Sequence, residues 1–313
     1  MAGETAPLEP VSTAQAVRAS VEHGMLLMAA GALTAPGTHA IAKSLGGEIS
    51  AGQLSATRYL FQVMFLLPVI WVAHGWRIPA PTFAQAVRGV TVGSSGLFFF
   101  WALQYLPLAT ASAIFFVEPL ILTALSAMFL GEPVGWRRLT AVSVGFVGAL
   151  IVIRPSFAAV GYAALLPLLA ALTFAIYLAM TRRQAGGETA VIAQFWVCLF
   201  GVLALSLAMG LGGPAGVAVL AASWPTALEW ALLAAMGAIA LVSHRLAISA
   251  FRSAAPASIL APFQYLEIFS AILLGVMLFG DLPDAATILG TAIIIGSGLY
   301  VFRREQALAR RRR

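Results

Sequence analysis

Ten apolar stretches of about 20 residues follow one another along this chain, and nothing else limits its fold so strongly. They cover residues 24–44, 54–74, 84–105, 109–130, 136–154, 159–181, 189–212, 227–250, 256–279 and 284–302. A soluble domain carries about 25% charged residues. Here charged residues make up 10% and hydrophobic ones 61%, and the mean hydropathy is +0.94. No soluble fold could hide so much apolar surface, so the solvent of these stretches is lipid. Lipid offers no partners to the backbone, which must pair every N–H and C=O internally. The stretches lack the in/out alternation of barrel strands, so they are helices. The predicted class is an all-α integral membrane protein with ten transmembrane helices and no room for a soluble domain.

The net charge of +6 and the isoelectric point near 10.1 do not indicate a nucleic-acid partner, because the arginines lie between the apolar stretches and at the C-terminal end. With both termini in the cytoplasm they sort by side. Arg18, Arg77, Arg88, Arg137, Arg138, Arg182, Arg183, Arg252, Arg303, Arg304 and Arg310–Arg313 fall inside, against Lys43 and Arg154 outside. That is the positive-inside bias of a bacterial inner-membrane protein. Residues 304–313 form a basic tail suited to anionic headgroups, and residues 1–23 a cytoplasmic tail with no signal-peptide core. The one cysteine, Cys198, sits within an apolar stretch and can form no internal disulfide. The partners expected are a small-molecule metabolite, the lipid bilayer and protons; a homodimer is compatible with the sequence. No cofactor and no metal are called for.

The chain also repeats itself. Gly46–Glu48 recurs at Gly186–Glu188. Pro107, Glu118, Met128 and Gly131-Glu132 match Pro256, Glu267, Met277 and Gly280-Asp281, all at one offset and in the same order. Pro133 pairs with Pro283, and Gly148 with Gly298, one residue later. Each unit holds five stretches, 24–155 and 156–303, and an odd number forces the units into opposite orientations. Such inverted repeats give two related packings with a site near the midplane, which is a mechanical basis for a carrier.

The residues that carry this pattern resemble a known family. Leu106–Pro155, with its small-residue fourth stretch, Leu-Gly-Glu and a Gly-rich fifth stretch, is similar to the EamA-like module of the drug/metabolite transporter superfamily. Ala261–Pro283 resembles a second copy, with Gly280-Asp281 in place of Gly-Glu. Ile41–Leu45 and Arg58 are similar to the family's first two spans. The resemblance implies ten helices with cytoplasmic termini. It also implies substrates as varied as amino acids, vitamins such as riboflavin, S-adenosylmethionine and drugs.

Candidate site residues are the polar ones at depth. Glu118 and Glu267 lie about 14–18 Å from the ends of their stretches, where a charge costs about 2.5–3.5 kcal/mol. They read either as a proton- or cation-binding pair in a central cavity or as hydrogen bonds to neighbouring helices. At helical spacing from Glu267 come Phe263, Gln264 and Ser270, a polar stripe with an aromatic beside it. Around Glu118 the same positions are apolar, and Pro119 frees the carbonyl of Phe115 or simply kinks the helix. In the first stretch Thr34, Pro36, Gly37, Thr38 and His39 predict a broken helix. His39 is a ligand there or an interhelical tie. Arg58 suits a substrate carboxylate or phosphate, and it can also snorkel, as can Arg245; His244 carries less weight. Tyr177, with Phe98–Trp101, Tyr105, Phe115, Phe116, Phe174 and Tyr265, offers stacking or plain packing.

Gly37–Ser44 nearly matches a phosphate-binding loop, but Ala42 stands where the second glycine belongs and the setting is a membrane span. Without such a loop, transport draws on gradients. The reading is a secondary active transporter of a small organic metabolite working by alternating access. The alternatives are a passive channel or facilitator, and an intramembrane enzyme, for which the stretches show no catalytic constellation.

Overall fold

The structure, a computed structural model, describes residues 13–75, 80–130, 136–183, 189–253, 260 and 263–311. The second Gly-Gly-Glu, Gly131-Glu132-Pro133 and the first twelve residues lie outside these. All regular structure among the described residues is helical. The helices are α1 (Thr13–Leu45), α2 (Ala51–His74), α3 (Phe83–Ala102), α4 (Leu108–Phe115), α5 (Glu118–Leu130) and α6 (Trp136–Val160). After a 3-10 turn at Gly161–Leu165 come α7 (Leu166–Arg183), α8 (Ala190–Gly212), α9 (Ala227–Arg252), α10 (Leu266–Phe279) and α11 (Ala285–Arg311).

Among the described residues, five helical segments are long and apolar enough to cross a membrane: Ser20–Leu45, Ala51–Ala73, Ser156–Thr181, Ala190–Gly212 and Ala227–Ala250. Shorter apolar helices occupy Leu108–Leu122, Ser143–Arg154, Leu266–Phe279 and Ala285–Tyr300. The predicted fourth stretch is divided into α4 and α5, and the ninth is interrupted by a turn at Tyr265 before α10 begins.

Helix starts follow local chemistry. Ser50, Thr82 and Thr226 cap α2, α3 and α9 by accepting from the backbone N–H three residues on, and Thr82 and Thr226 complete capping boxes with Gln85 and Glu229. Asp284 caps α11, its Oδ1 accepting from Thr287 N at 2.7 Å.

The packing is paired in a way that suggests two repeats. In the first five stretches α1 packs on α9 and α3 packs on α7, so the first helix of each half meets the third of the other. The self-paired contacts are α2 with α8 and α6 with α11. A Cβ on Gly148 would stand 2.9 Å from the carbonyl oxygen of Gly290, and one on Gly290 would stand 2.6 Å from that of Gly148. The α6–α11 crossing therefore needs bare backbone on both sides.

Two sequence expectations on helix continuity are corrected. Pro36 and Gly37 do not break α1, which is continuous from Thr13 to Leu45; packing along α9 holds its neighbours in place, and Thr34 Oγ1 bonds Ser243 Oγ at 2.9 Å. The connection expected after residue 154 comes slightly later in the chain. Helix α6 runs to Val160 and the turn comes at Gly161, whose φ of 62° lies in the left-handed region that glycine enters freely.

Candidate functional site

The broken helices bring the two glutamates to equivalent places. Helix α4 ends at Phe115, two residues turn, and Glu118 opens α5. Pro119 therefore starts a helix rather than kinking one, a first-turn position where its missing N–H costs nothing. In the other half the chain turns at Tyr265, and Glu267 is the second residue of α10. Each carboxylate thus sits in the first turn of a half-helix, at the positive end of its dipole.

The surroundings differ. Glu118 is buried, and Tyr265 lies within its electrostatic reach. Glu267 is half-buried, and the hydroxyl of buried Ser270 donates to its backbone carbonyl at 3.3 Å. The predicted stripe around Glu267 is not one helical face, because the turn at Tyr265 divides it. Gln264 is exposed, and Phe263 packs with the separate cluster of Met28, Ala250 and Leu260.

A lane of rings runs between the helices. His39 lies 4.5 Å from Phe99, Phe99 5.3 Å from Phe115, Phe115 5.7 Å from Phe174 and Phe174 5.6 Å from Tyr177. A branch passes from Phe115 to Phe116 at 6.5 Å and on to Tyr265 at 5.9 Å. The lane joins α1, α3, α4 and α7 and reaches the Tyr265–Glu118 contact. Tyr177 closes one end, with the Arg88 guanidinium 5.6 Å above its ring. Arg88 is itself buried, and its place on Tyr177 makes it part of the α3–α7 contact.

Arg58 stands at the other end. Its guanidinium donates to Tyr59 Oη, which donates onward to the carbonyl of Val92 at 2.7 Å. Its Cζ is 4.4 Å from the Tyr59 ring and 5.2 Å from that of Phe100. His39 and His244 both feel its charge. Thr38, beside His39, is 2% exposed. The structure therefore brings His39 and Arg58 to Phe99 and Phe100 and links them by rings to Tyr177. Among the described residues no group of three or more His, Cys, Asp or Glu could hold a metal ion. Two clefts of about 290 and 620 Å³ lie elsewhere, against α2 and α9 and against α2 and α8, and contain none of the nine candidate residues.

One feature escaped the sequence reading. Lys43, at the end of α1, forms an ion pair with Asp281, just past α10. Lys43 also reaches the carbonyl of Leu106 at 3.4 Å and the ring of Phe279 at 4.9 Å. Asp281 in turn accepts from Leu108 N at 3.3 Å. This clasp binds three elements across the halves, and the alignment of Gly280-Asp281 with Gly131-Glu132 was the only sequence sign of it.

Residues 23–154 match the EamA-like transporter family. A riboflavin transporter of Rhizobium johnstonii is 32% identical over 257 residues, covering 81% of this chain and 80% of that protein. The chain belongs to the EamA-like transporter family. An S-adenosylmethionine uptake transporter of Rickettsia bellii is 27% identical, covering 85% of this chain and 88% of that one. A solved crystal structure superposes with a TM-score of 0.61 at 22% identity, over 93% of this chain and 98% of the other, and shares the fold. This family member is a multi-pass membrane protein and a secondary transporter of a small organic metabolite.

Proposed function

We propose that this EamA-like transporter spans the inner membrane ten times as two inverted five-helix repeats, residues 24–155 and 156–303, with both termini in the cytoplasm. Its substrate is a planar metabolite of the riboflavin or S-adenosylmethionine kind, moved by alternating access and coupled to protons through Glu267 and Glu118. One observation carries the reading: in each half the helix breaks, and the half-helix that follows starts with a carboxylate. Broken helices near the midplane are how carriers place polar groups where substrate and coupling ion can reach them. Protonating either glutamate removes a charge that is costly at that depth, and so changes which packing of the halves is favoured. The ring lane supports a planar substrate, since its faces lie between the Arg58 end and the Glu118 end.

The test is uptake into proteoliposomes of labelled riboflavin and S-adenosylmethionine, with and without an imposed pH gradient. Saturable, gradient-stimulated flux of one of the two is expected in the wild type. In Glu267→Gln and Glu118→Gln the stimulation is expected to vanish while the protein still unfolds at the wild-type temperature. Gradient-stimulated flux that persists in both variants removes the glutamates from coupling. Flux that rises linearly with concentration makes the protein a facilitator.

A further inference from the structure

Polar atoms sealed inside a protein without partners are costly, about 1–3 kcal/mol each and more when charged. Two of them share one neighbourhood here, His39 Nδ1 and Arg58 Nε, since His39 feels the Arg58 charge and both side chains lie by Phe100. Arg58 matters most, because a guanidinium stays protonated in any protein environment. Tyr59 accepts one of its N–H groups, and the rings of Tyr59 and Phe100 face its positive charge. Rings offer no acceptor to Nε. Among the described residues the ion pair is Lys43 with Asp281, and no carboxylate reaches Arg58. Its other electrostatic neighbours include two imidazoles, His39 and His244.

We propose that Arg58 and His39 form the polar end of the substrate site and take the anionic or carbonyl-bearing edge of a planar ring, with Phe99 and Phe100 as its walls. This rests on the transport reading above and names the substrate class at one end of the lane. The planar fork of the guanidinium matches a pair of acceptor atoms on one edge. The His39 ring, 4.5 Å from Phe99 and 6.4 Å from Phe100, brings its unpartnered nitrogen to the same place. A cationic group at this end meets Arg58 unscreened, in surroundings of low dielectric. A ring dione such as that of riboflavin fits, and a sulfonium does not.

The experiment is binding to the purified full-length protein in detergent. Riboflavin and lumiflavin, which has the same ring without the ribityl chain, are followed by quenching of their own fluorescence; S-adenosylmethionine is followed by calorimetry and by displacement of flavin. Both flavins are expected to bind. Arg58→Gln should weaken both by about tenfold or more, with Arg58→Lys recovering only part because it lacks the fork. S-adenosylmethionine should neither bind nor displace flavin. Should Arg58→Gln fail to fold, His39→Phe gives the same reading through loss of the second polar partner. Absence of flavin binding, flavin binding untouched by these substitutions, or displacement by S-adenosylmethionine would each overturn the proposal. Flavin binding without flux in the proteoliposomes would sink the coupled carrier and leave this subsite standing.

Discussion

At the level of single residues, two acids at helix ends respond to pH in opposite senses. Glu48, in the exposed turn after α1, shares a hydrogen bond with Glu229 and feels that group's negative charge, and both raise its pKa. The tie it makes is therefore complete at low pH and is lost as pH rises through that raised value. Asp284 is lowered by its hydrogen bonds to Thr287, so its contribution is present above the ordinary carboxylate range and is lost as pH falls. Thermal unfolding between about pH 2 and 8 separates them. Glu48→Gln should flatten the alkaline side of the profile, and Asp284→Ala the acid side. The second substitution should also cost about 1 kcal/mol at neutral pH through loss of the α11 cap. A profile whose two sides are unchanged in these variants would show that neither acid sets it. Much of the site was legible at this scale, because a glutamate, arginine or histidine among apolar residues is conspicuous. What could not be read was who meets whom. Arg88 looked like an interfacial charge because its position along the chain says nothing of Tyr177, some ninety residues away, on whose ring it rests.

Among the elements, the ten apolar stretches foretold most of the helices, since apolar length is written directly in composition. The breaks were placed less well. Pro36-Gly37 carries stronger breaking signals than anything near Tyr265, yet α1 is continuous while the chain turns at Tyr265. Propensity is a local prior, and packing against a partner helix overrides it. Close crossings show the same dependence on context. Gly148 and Gly290 are ordinary glycines in sequence, and only their mutual approach makes them necessary. Gly148→Ala places its methyl 2.9 Å from both the Gly290 carbonyl oxygen and the branched Ile293 side chain, and should destabilise the protein by about 1–3 kcal/mol. Gly210→Ala, in open space on α8, should be neutral or slightly stabilising. Thermal melts of the two in one detergent decide it; equal melting temperatures would mean that α6 and α11 can part at no cost.

Taken whole, the molecule carries ties between its halves at the Lys43 end. The Lys43–Asp281 pair is joined by Gln53, which bonds Ser223 through both side-chain amide atoms at 2.7 and 2.9 Å, and by Ser50, which bonds the carbonyl of Ala221 at 2.6 Å. Asp281→Asn removes the charge that holds α1, the α3–α4 connection and α10 together. Cysteines placed at Thr38 and Ser112 should then react faster with a membrane-impermeant thiol reagent than they do with Asp281 intact. Unchanged labelling would mean that the clasp does not govern access from that side.

The pairing of α1 with α9 and of α3 with α7 also bears on how the protein is made. When the first half has left the ribosome, α1, α2, α3 and α6 still lack neighbours they will rest against, and Thr34 waits for Ser243. Neither half is a folding unit that can mature alone. A chain stopped after α6 should be removed by quality-control proteases, whereas the same fragment supplied with the remainder on a second transcript should persist and assemble. Synthesis thus runs through a vulnerable interval that closes only when α11 enters the bilayer.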